Sequence, residues 1–197
     1  AHTTTFEWDY RALNAMGPQE LLAWAHEHHG ERAGIVTSFQ DTGTVMIDMA
    51  GEVAPGMRII TVDTLRLHPE TYALIEEVQR KYGMHVEIFR PDPERVEKMI
   101  ANHGEYLFFD SKAKQEYCCK VRKVEPNEML LETLDVWFTG LRRDHSDTRS
   151  ETPKVSKTER EGREILKLAP LADWSCDEVR NSIRENAVPY NALYDQS

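Results

Sequence analysis

Two cysteines stand side by side in this chain, Cys118 and Cys119, and three cations follow within the next four positions: Lys120, Arg122 and Lys123. Adjacent thiols admit three readings: small buried hydrophobes, a strained vicinal disulfide, or metal ligands. Neighbours on a helix point about 100° apart, so both thiolates reach one tetrahedral zinc poorly. Two different irons of a cubane held by four thiolates would suit them better. The chain has three cysteines in all, one short of that set. The third, Cys176, follows Ser175 in a Ser-x-x-Glu pattern completed by Glu178. That pattern opens a helix, and Cys176 reads as a helix-start residue rather than a ligand.

Three other segments carry anion-binding chemistry. Gly140-Leu141-Arg142-Arg143-Asp144-His145-Ser146-Asp147-Thr148-Arg149 sets two adjacent arginines just after an apolar run, where they can grip phosphate or sulfate in bidentate fashion. Ser38-Phe39-Gln40-Asp41-Thr42-Gly43-Thr44 lies between a strand-like and a helix-like segment. Backbone N–H groups there can cradle an anion, or the turn simply caps a helix. It matches neither GxGxxG nor the Walker pattern. Asp63-Thr64-Leu65-Arg66-Leu67-His68-Pro69 places a polar cluster after a second strand, suited to a ribose or a sulfate, or again to capping. His26, His28 and His29 stand beside Gly30 at a helix end, where they complement the helix dipole rather than bind metal.

These loops need strands to stand on. Ala33–Ser38, Arg58–Val62, Met84–Phe89 and Asp135–Thr139 are short apolar runs that read as buried strands. Between them lie helical patterns: Gly17-Pro18 to Gly30, Val45 to about Gly51, Pro69 to Gly83, and a segment ending near Leu134. Pro69 fits a first turn and Gly83 a C-terminal cap. Glu76–Arg80 and Glu77–Lys81 are spaced for i,i+4 pairing. After Gly140–Arg149 the chain reads as polar and rich in breakers as far as Gly162. Strands alternating with helices predict an α/β fold with a parallel twisted sheet flanked by helices and right-handed crossovers. In such sheets ligands bind beyond the carboxyl ends of the strands, which is where the three polar loops and the cysteine segment fall. The division expected is an N-terminal helical segment over 1–30 and a nucleotide-binding α/β domain over 31–197.

Composition narrows the function. With 24 Lys+Arg against 34 Asp+Glu, the 197 residues carry a formal charge of −10, which argues against a general nucleic-acid or membrane-surface binder. No apolar run approaches the roughly 20 residues that span a bilayer. Three cysteines make no disulfide framework, so a reducing compartment, the cytoplasm, is expected. The chain opens at Ala1 with no Met, which reads as processing or editing of the N-terminus.

Thr61-Val62-Asp63-Thr64-Leu65-Arg66-Leu67-His68-Pro69-Glu70-Thr71-Tyr72 resembles the LDTGRLHPETY motif of the adenylyl-sulfate reductases, within the phosphoadenylyl/adenylyl-sulfate reductase family. Cys118-Cys119-Lys120-Val121-Arg122-Lys123-Val124-Glu125-Pro126 is similar to CCxxRKVxP, and Thr139 to Arg149 to TGLRRDQSxTR. Pro170-Leu171-Ala172-Asp173-Trp174 and Val188-Pro189-Tyr190-Asn191 complete the order. The resemblance implies an adenine nucleotide α-hydrolase type of fold with a modified pyrophosphate loop. It implies thioredoxin-dependent reduction of adenylyl sulfate to sulfite and AMP, on the route to cysteine, through an S-sulfocysteine on the enzyme. By the same resemblance Cys118 and Cys119 would be ligands of a [4Fe–4S] cluster, and Lys123 would lie between cluster and substrate sulfate. Ser38, Phe39 and Gln40 would line the pyrophosphate loop, Leu65 and Arg66 would flank the nucleotide, and Gly140, Arg142 and Arg143 would help bind adenosine and phosphosulfate. A homo-oligomer is also implied.

The chain departs from the pattern in two places. Leu65 stands where the family often has Gly. The later Cys-x-x-Cys pair and the nucleophilic cysteine of a Cys-Gly-type segment are absent from these residues, so the chain is expected to be truncated relative to an active enzyme. Competing readings are activity on phosphoadenylyl sulfate, an ATP pyrophosphatase-type adenylyltransferase, and a non-catalytic AMP-binding or redox module. The adenylyltransferase would need a loop like SGGxDS, which Ser38 to Gly43 does not supply.

Overall fold

The computed structural model describes residues 6–143 and 151–193; Asp144 to Arg149 of the arginine-bearing loop lie outside them. Six strands form one sheet in the order β3-β2-β1-β4-β6-β5. They are β1 (Ala33–Val36), β2 (Arg58–Val62), β3 (Val86–Phe89), β4 (Val136–Phe138), β5 (Val155–Arg160) and β6 (Arg163–Leu168). All neighbouring pairs run parallel except β5 and β6. The parallel α/β expectation therefore holds, with one antiparallel edge strand added.

The crossovers are helical. From β1 the chain passes through α3 (Asp41–Val53) to β2, and through α4 (Pro69–Tyr82) to β3. The return to β4 runs through α5 (Pro93–His103), α6 (Lys112–Cys119), a π-helical turn (Lys120–Val124) and α7 (Glu125–Glu132). Two helices, α1 (Tyr10–Ala15) and α2 (Pro18–His29), precede the sheet, and α8 (Cys176–Asn186) follows it. Strands β2 and β3 build outward on one side of β1, while β4 joins on the other. The sheet order thus reverses between β1 and β4, and a crevice opens beyond the carboxyl ends of such a pair.

The larger core covers one sheet face. Ile35, Ile59, Val136, Phe138 and Leu166 meet Leu21 and Leu22 of α2, Val45 and Met46 of α3, Leu74 and Val78 of α4, and Val179 and Ile183 of α8. Helix α3 is buried almost all round, including Thr42, Gly43 and Thr44 in its first turn, so it is a central element and not a surface one. On the other face Ile60 and Ile165 pack under Leu130, Leu131 and Leu134 at α7. A small third cluster joins Val96 and Met99 of α5 to Leu107, Cys118 and Val121.

Several elements differ from the sequence expectation for identifiable reasons. The first strand ends at Val36 rather than Ser38, and α3 begins at Asp41, four residues before Val45. The polar residues 37–40 form the turn between them. Residues 155–168 form a β-hairpin that the polar composition had hidden. Its two-residue turn, Glu161-Gly162, has φ of 50° and 75°, and Arg160 pairs with Arg163 across it. Positive φ at both central residues is the geometry that suits the right-handed strand twist. Lys81 does not pair with Glu77; its Nζ donates to the carbonyl oxygens of Asn186 and Ala187 at the end of α8. Among the described residues no helix is long and apolar enough to cross a membrane.

Candidate functional site

At the reversal point between β1 and β4 lies a cavity of about 140 Å³, lined by residues 36–38, 40, 42–43 and 139–141. Its walls are held together by short polar stitches. Thr37 N donates to Ile60 O (3.0 Å), the Thr37 hydroxyl accepts from Phe39 N (2.9 Å), and Thr42 Oγ1 donates to Gly140 O (2.8 Å). Two glycines let these segments approach. A Cβ on Gly43 would overlap Thr37 Oγ1, and one on Gly140 would overlap Thr42 Oγ1. The start of α3 has no side-chain cap hydrogen bond at Gln40, and backbone N–H groups at a helix start can hold an anion. Amides, hydroxyls and missing side chains make a neutral cradle that can approach a nucleotide closely.

Of the residues the sequence placed here, Ser38, Gln40 and Gly140 line the cavity. Phe39 does not line it. Its ring is 1% exposed and sits in the main core, while its φ of 61° turns the chain sharply between strand and helix. Arg142 and Arg143 face another way. Arg142 Nη1 donates to Trp174 O (3.2 Å), and Arg143 Nε to Thr152 O (2.9 Å). They tie the β4 loop to the segments around β5 and α8. Thr42, Gly43 and Leu141 fall inside the loops marked as anion-binding from the sequence, whereas Thr37 and Thr139 were read only as strand ends.

The loop after β2 sits one strand away. Asp63 is 3% exposed. Its Oδ1 accepts from Leu65 N (2.8 Å) and from the Tyr72 hydroxyl (2.7 Å), and Arg90 Nε lies 3.5 Å from its other oxygen. Burial, then the hydrogen bond and charge of Asp63, push the Tyr72 hydroxyl above its ordinary range, so it remains a donor. Leu65 has a φ of 65° and an exposed side chain. A non-glycine residue in the left-handed region costs about 1–2 kcal/mol. Arg66 turns from the cavity to the α5–α6 connection, donating to Glu105 O and lying 6.0 Å from the Tyr106 ring centroid.

The cysteine segment closes α6. Cys118 is buried among Val96, Met99, Leu107 and Val121, whereas Cys119 is exposed, and both are free thiols. Beyond them the π-helical turn buries Arg122 and exposes Lys123. Such turns within α-helices are frequent at functional sites. Cys176 opens α8, where Ser175 and Glu178 form the reciprocal capping box read from the sequence. Among the described residues no group of three or more His, Cys, Asp and Glu side chains is placed to hold a metal. One thiol pointing inward and its neighbour outward do not make up the four-thiolate set of a cubane.

A larger cavity, about 320 Å³, opens between α3 and α8 and is lined by Asp48, Glu52, Glu178, Glu185 and Trp174. Its carboxylates disfavour phosphate, and it lies away from the strand ends. The neutral cradle at β1 and β4 is the better nucleotide site.

A mostly parallel sheet with a polar cradle at the β1/β4 reversal defines an α/β protein with its candidate site at the strand ends, and comparison with known proteins narrows that class. The model of the phosphoadenosine phosphosulfate reductase domain matches residues 33–197, and the chain belongs to that family. An adenosine 5'-phosphosulfate reductase of Oceanobacillus iheyensis is 36% identical over 180 residues, spanning 91% of this chain and 72% of that protein. One from Allochromatium vinosum is 43% identical over 140 residues, spanning 71% of this chain and 54% of that protein. The crystal structure of phosphoadenylyl-sulfate reductase from Candida auris, a phosphate complex, superposes with a TM-score of 0.79 at 28% identity. It covers 98% of this chain and 94% of that one. The relatives are named as reductases, oxidoreductases that act on sulfur.

Proposed function

We propose that this chain binds adenylyl sulfate in the β1/β4 cradle and serves its thioredoxin-dependent reduction to sulfite and AMP. The observation that carries this reading is the cradle itself, with α3's uncapped first turn and two obligatory glycines at the reversal point. Ser38, Gln40 and Gly140 hold the adenosine and phosphate, and Phe39 turns the chain between the first two. Leu65 and Arg66 form the neighbouring wall, and Arg142 and Arg143 keep the β4 loop in place. Lys123 is exposed on the π-helical turn. Its charge stabilises the sulfonyl oxygens as negative charge builds on breaking the S–O bond to AMP.

In the reaction a cysteine thiolate attacks the sulfur, the S–O bond breaks, and AMP leaves with the bonding pair. The product on the protein is an S-sulfocysteine. A thioredoxin thiolate then attacks the cysteine sulfur, sulfite leaves with the S–S pair, and the second thioredoxin thiol resolves the mixed disulfide. Two electrons pass from the dithiol to sulfur. The attacking thiolate belongs to a cysteine other than the buried Cys118, its neighbour Cys119, or the helix-opening Cys176. An iron–sulfur cluster would take Cys118 and Cys119 together with two thiolates that the described residues do not bring to them, and no step above runs through it. Free thiols fit a reducing compartment such as the cytoplasm, and the two-part division at residue 30 and a homo-oligomer belong to the same reading.

Calorimetric titration with AMP, adenylyl sulfate and its 3'-phosphorylated counterpart tests the proposal. Binding of AMP and adenylyl sulfate, with the 3'-phosphorylated nucleotide about tenfold weaker, is the expected result. Pyrophosphate release from ATP, or no nucleotide binding at all, would overturn it.

A further inference from the structure

The two strand-end turns share a local device but differ in what holds them. Phe39 and Leu65 both take positive φ, 61° and 65°, and each donates its N–H to a side-chain oxygen two residues back, on Thr37 and Asp63. Phe39 is locked by its ring, which the core encloses. Leu65 has no such anchor, because its side chain is 46% exposed. Something else must keep this loop in a conformation that leucine disfavours.

Arg122 is that element. It is 6% exposed and sits on the π-helical turn directly after Cys118–Cys119. Its Nη1 donates to Thr64 O at 3.0 Å, across 58 residues of sequence. Its Nε is buried with no partner. An orphaned buried donor in a native fold calls for a reason, and reaching the carbonyl that precedes Leu65 supplies one. The π-helical turn makes this reach possible by aiming Arg122 inward while the next residue, Lys123, stays at the surface.

We propose that Arg122 is a positioning residue: it fixes the loop after β2 in the left-handed turn that forms one wall of the nucleotide site, and so joins that wall to the cysteine-bearing turn. This rests on the nucleotide reading above. A displacement of the π-helical turn, through any change at Cys118 or Cys119, passes to the nucleotide wall through the Arg122–Thr64 hydrogen bond. Where the third residue of the loop is glycine, the turn forms without help. Leu65 makes it dependent on Arg122.

The test is a double-mutant cycle with Arg122→Ala and Leu65→Gly, read by AMP affinity and by amide hydrogen exchange over residues 63–68. Arg122→Ala should weaken AMP binding about tenfold and speed exchange in 63–68, leaving β1 and β4 unchanged. In the Leu65→Gly background the same substitution should cost less than about threefold, because glycine needs no clamp. A purely structural loss would not be rescued by Leu65→Gly. Should Arg122→Ala not fold, Arg122→Lys carries the test, since it keeps charge but loses the planar fork. Unchanged exchange at 63–68, or a defect undiminished by Leu65→Gly, overturns the proposal. Failure of the unsubstituted chain to bind AMP counts against the nucleotide reading alone, because the exchange measurement needs no ligand.

Discussion

The β1/β4 cradle and the Cys118–Lys123 turn both stand at the carboxyl edge of the sheet, yet they are built on opposite principles. The cradle is made of backbone, hydroxyls and two glycines, and its side-chain hydrogen bonds at Thr37 and Thr42 close within residues 37–43 and 139–141. It is complete as it stands. The cysteine turn holds one buried thiol, one exposed thiol and one exposed lysine; it reaches the loop after β2 through the Arg122–Thr64 hydrogen bond. On the proposed reading one region binds by shape, whereas the other serves chemistry that needs further groups. Substitutions should therefore separate binding from chemistry along this line.

The largest effect is expected at Gly43. In an ordinary helix Gly→Ala stabilises by roughly 1 kcal/mol, but here the new methyl meets Thr37 Oγ1. Gly43→Ala should lower stability by about 1–3 kcal/mol and abolish AMP binding, measured by thermal unfolding and calorimetry. A stabilised variant with normal AMP affinity would break the cradle half of the comparison. Next comes Lys123→Ala. It should leave AMP affinity within about twofold while weakening adenylyl sulfate about tenfold, since one charge-assisted contact is lost. Equal loss for both ligands would place Lys123 at the nucleotide and not at the sulfonyl end.

Smaller effects should divide the cysteine pair. Cys118→Ser buries a hydroxyl among Val96, Met99 and Leu107 and should cost about 1–3 kcal/mol, whereas exposed Cys119→Ser should stay within about 0.5 kcal/mol. Denaturant unfolding of the two variants reads this directly. The smallest effect lies far from both regions. Burial lowers the pKa of His29, with the His28 charge adding to it and Asp135 opposing. Because the folded value lies below the unfolded 6.5, the neutral form is favoured in the fold. Stability is therefore fully present above about pH 6.5 and declines as pH falls through the folded pKa. His29→Gln should flatten that decline in melting curves between pH 7 and pH 5.

Much of this arrangement was legible in the sequence because local chemistry and tertiary role coincide there. Pro69 and Gly83 bracket α4, Ser175 and Glu178 box the start of α8, and the apolar runs give the parallel strands. The hairpin of β5 and β6 was hidden because Glu161-Gly162 stands where Asn-Gly would have announced the turn. Helix α5 escaped notice although Asp92 caps it and Pro93 opens it. At the site, the spacing marked the right loops but not which side chains face the crevice. The core claims Phe39, Trp174 and Thr152 draw the two arginines away, and Glu105 holds Arg66. Arg122 looked like one cation among three, since nothing in a run of sequence shows that a π-helical turn buries it.

The most direct test of the central claim, that a nucleotide binds in the β1/β4 cradle, is an amide chemical-shift titration of the isotope-labelled chain with AMP. The account predicts saturable shifts concentrated at residues 37–43 and 139–141, with smaller ones at 63–66. Shifts gathered instead around Asp48 and Glu178 of the acidic cavity, or none at millimolar AMP, would contradict it.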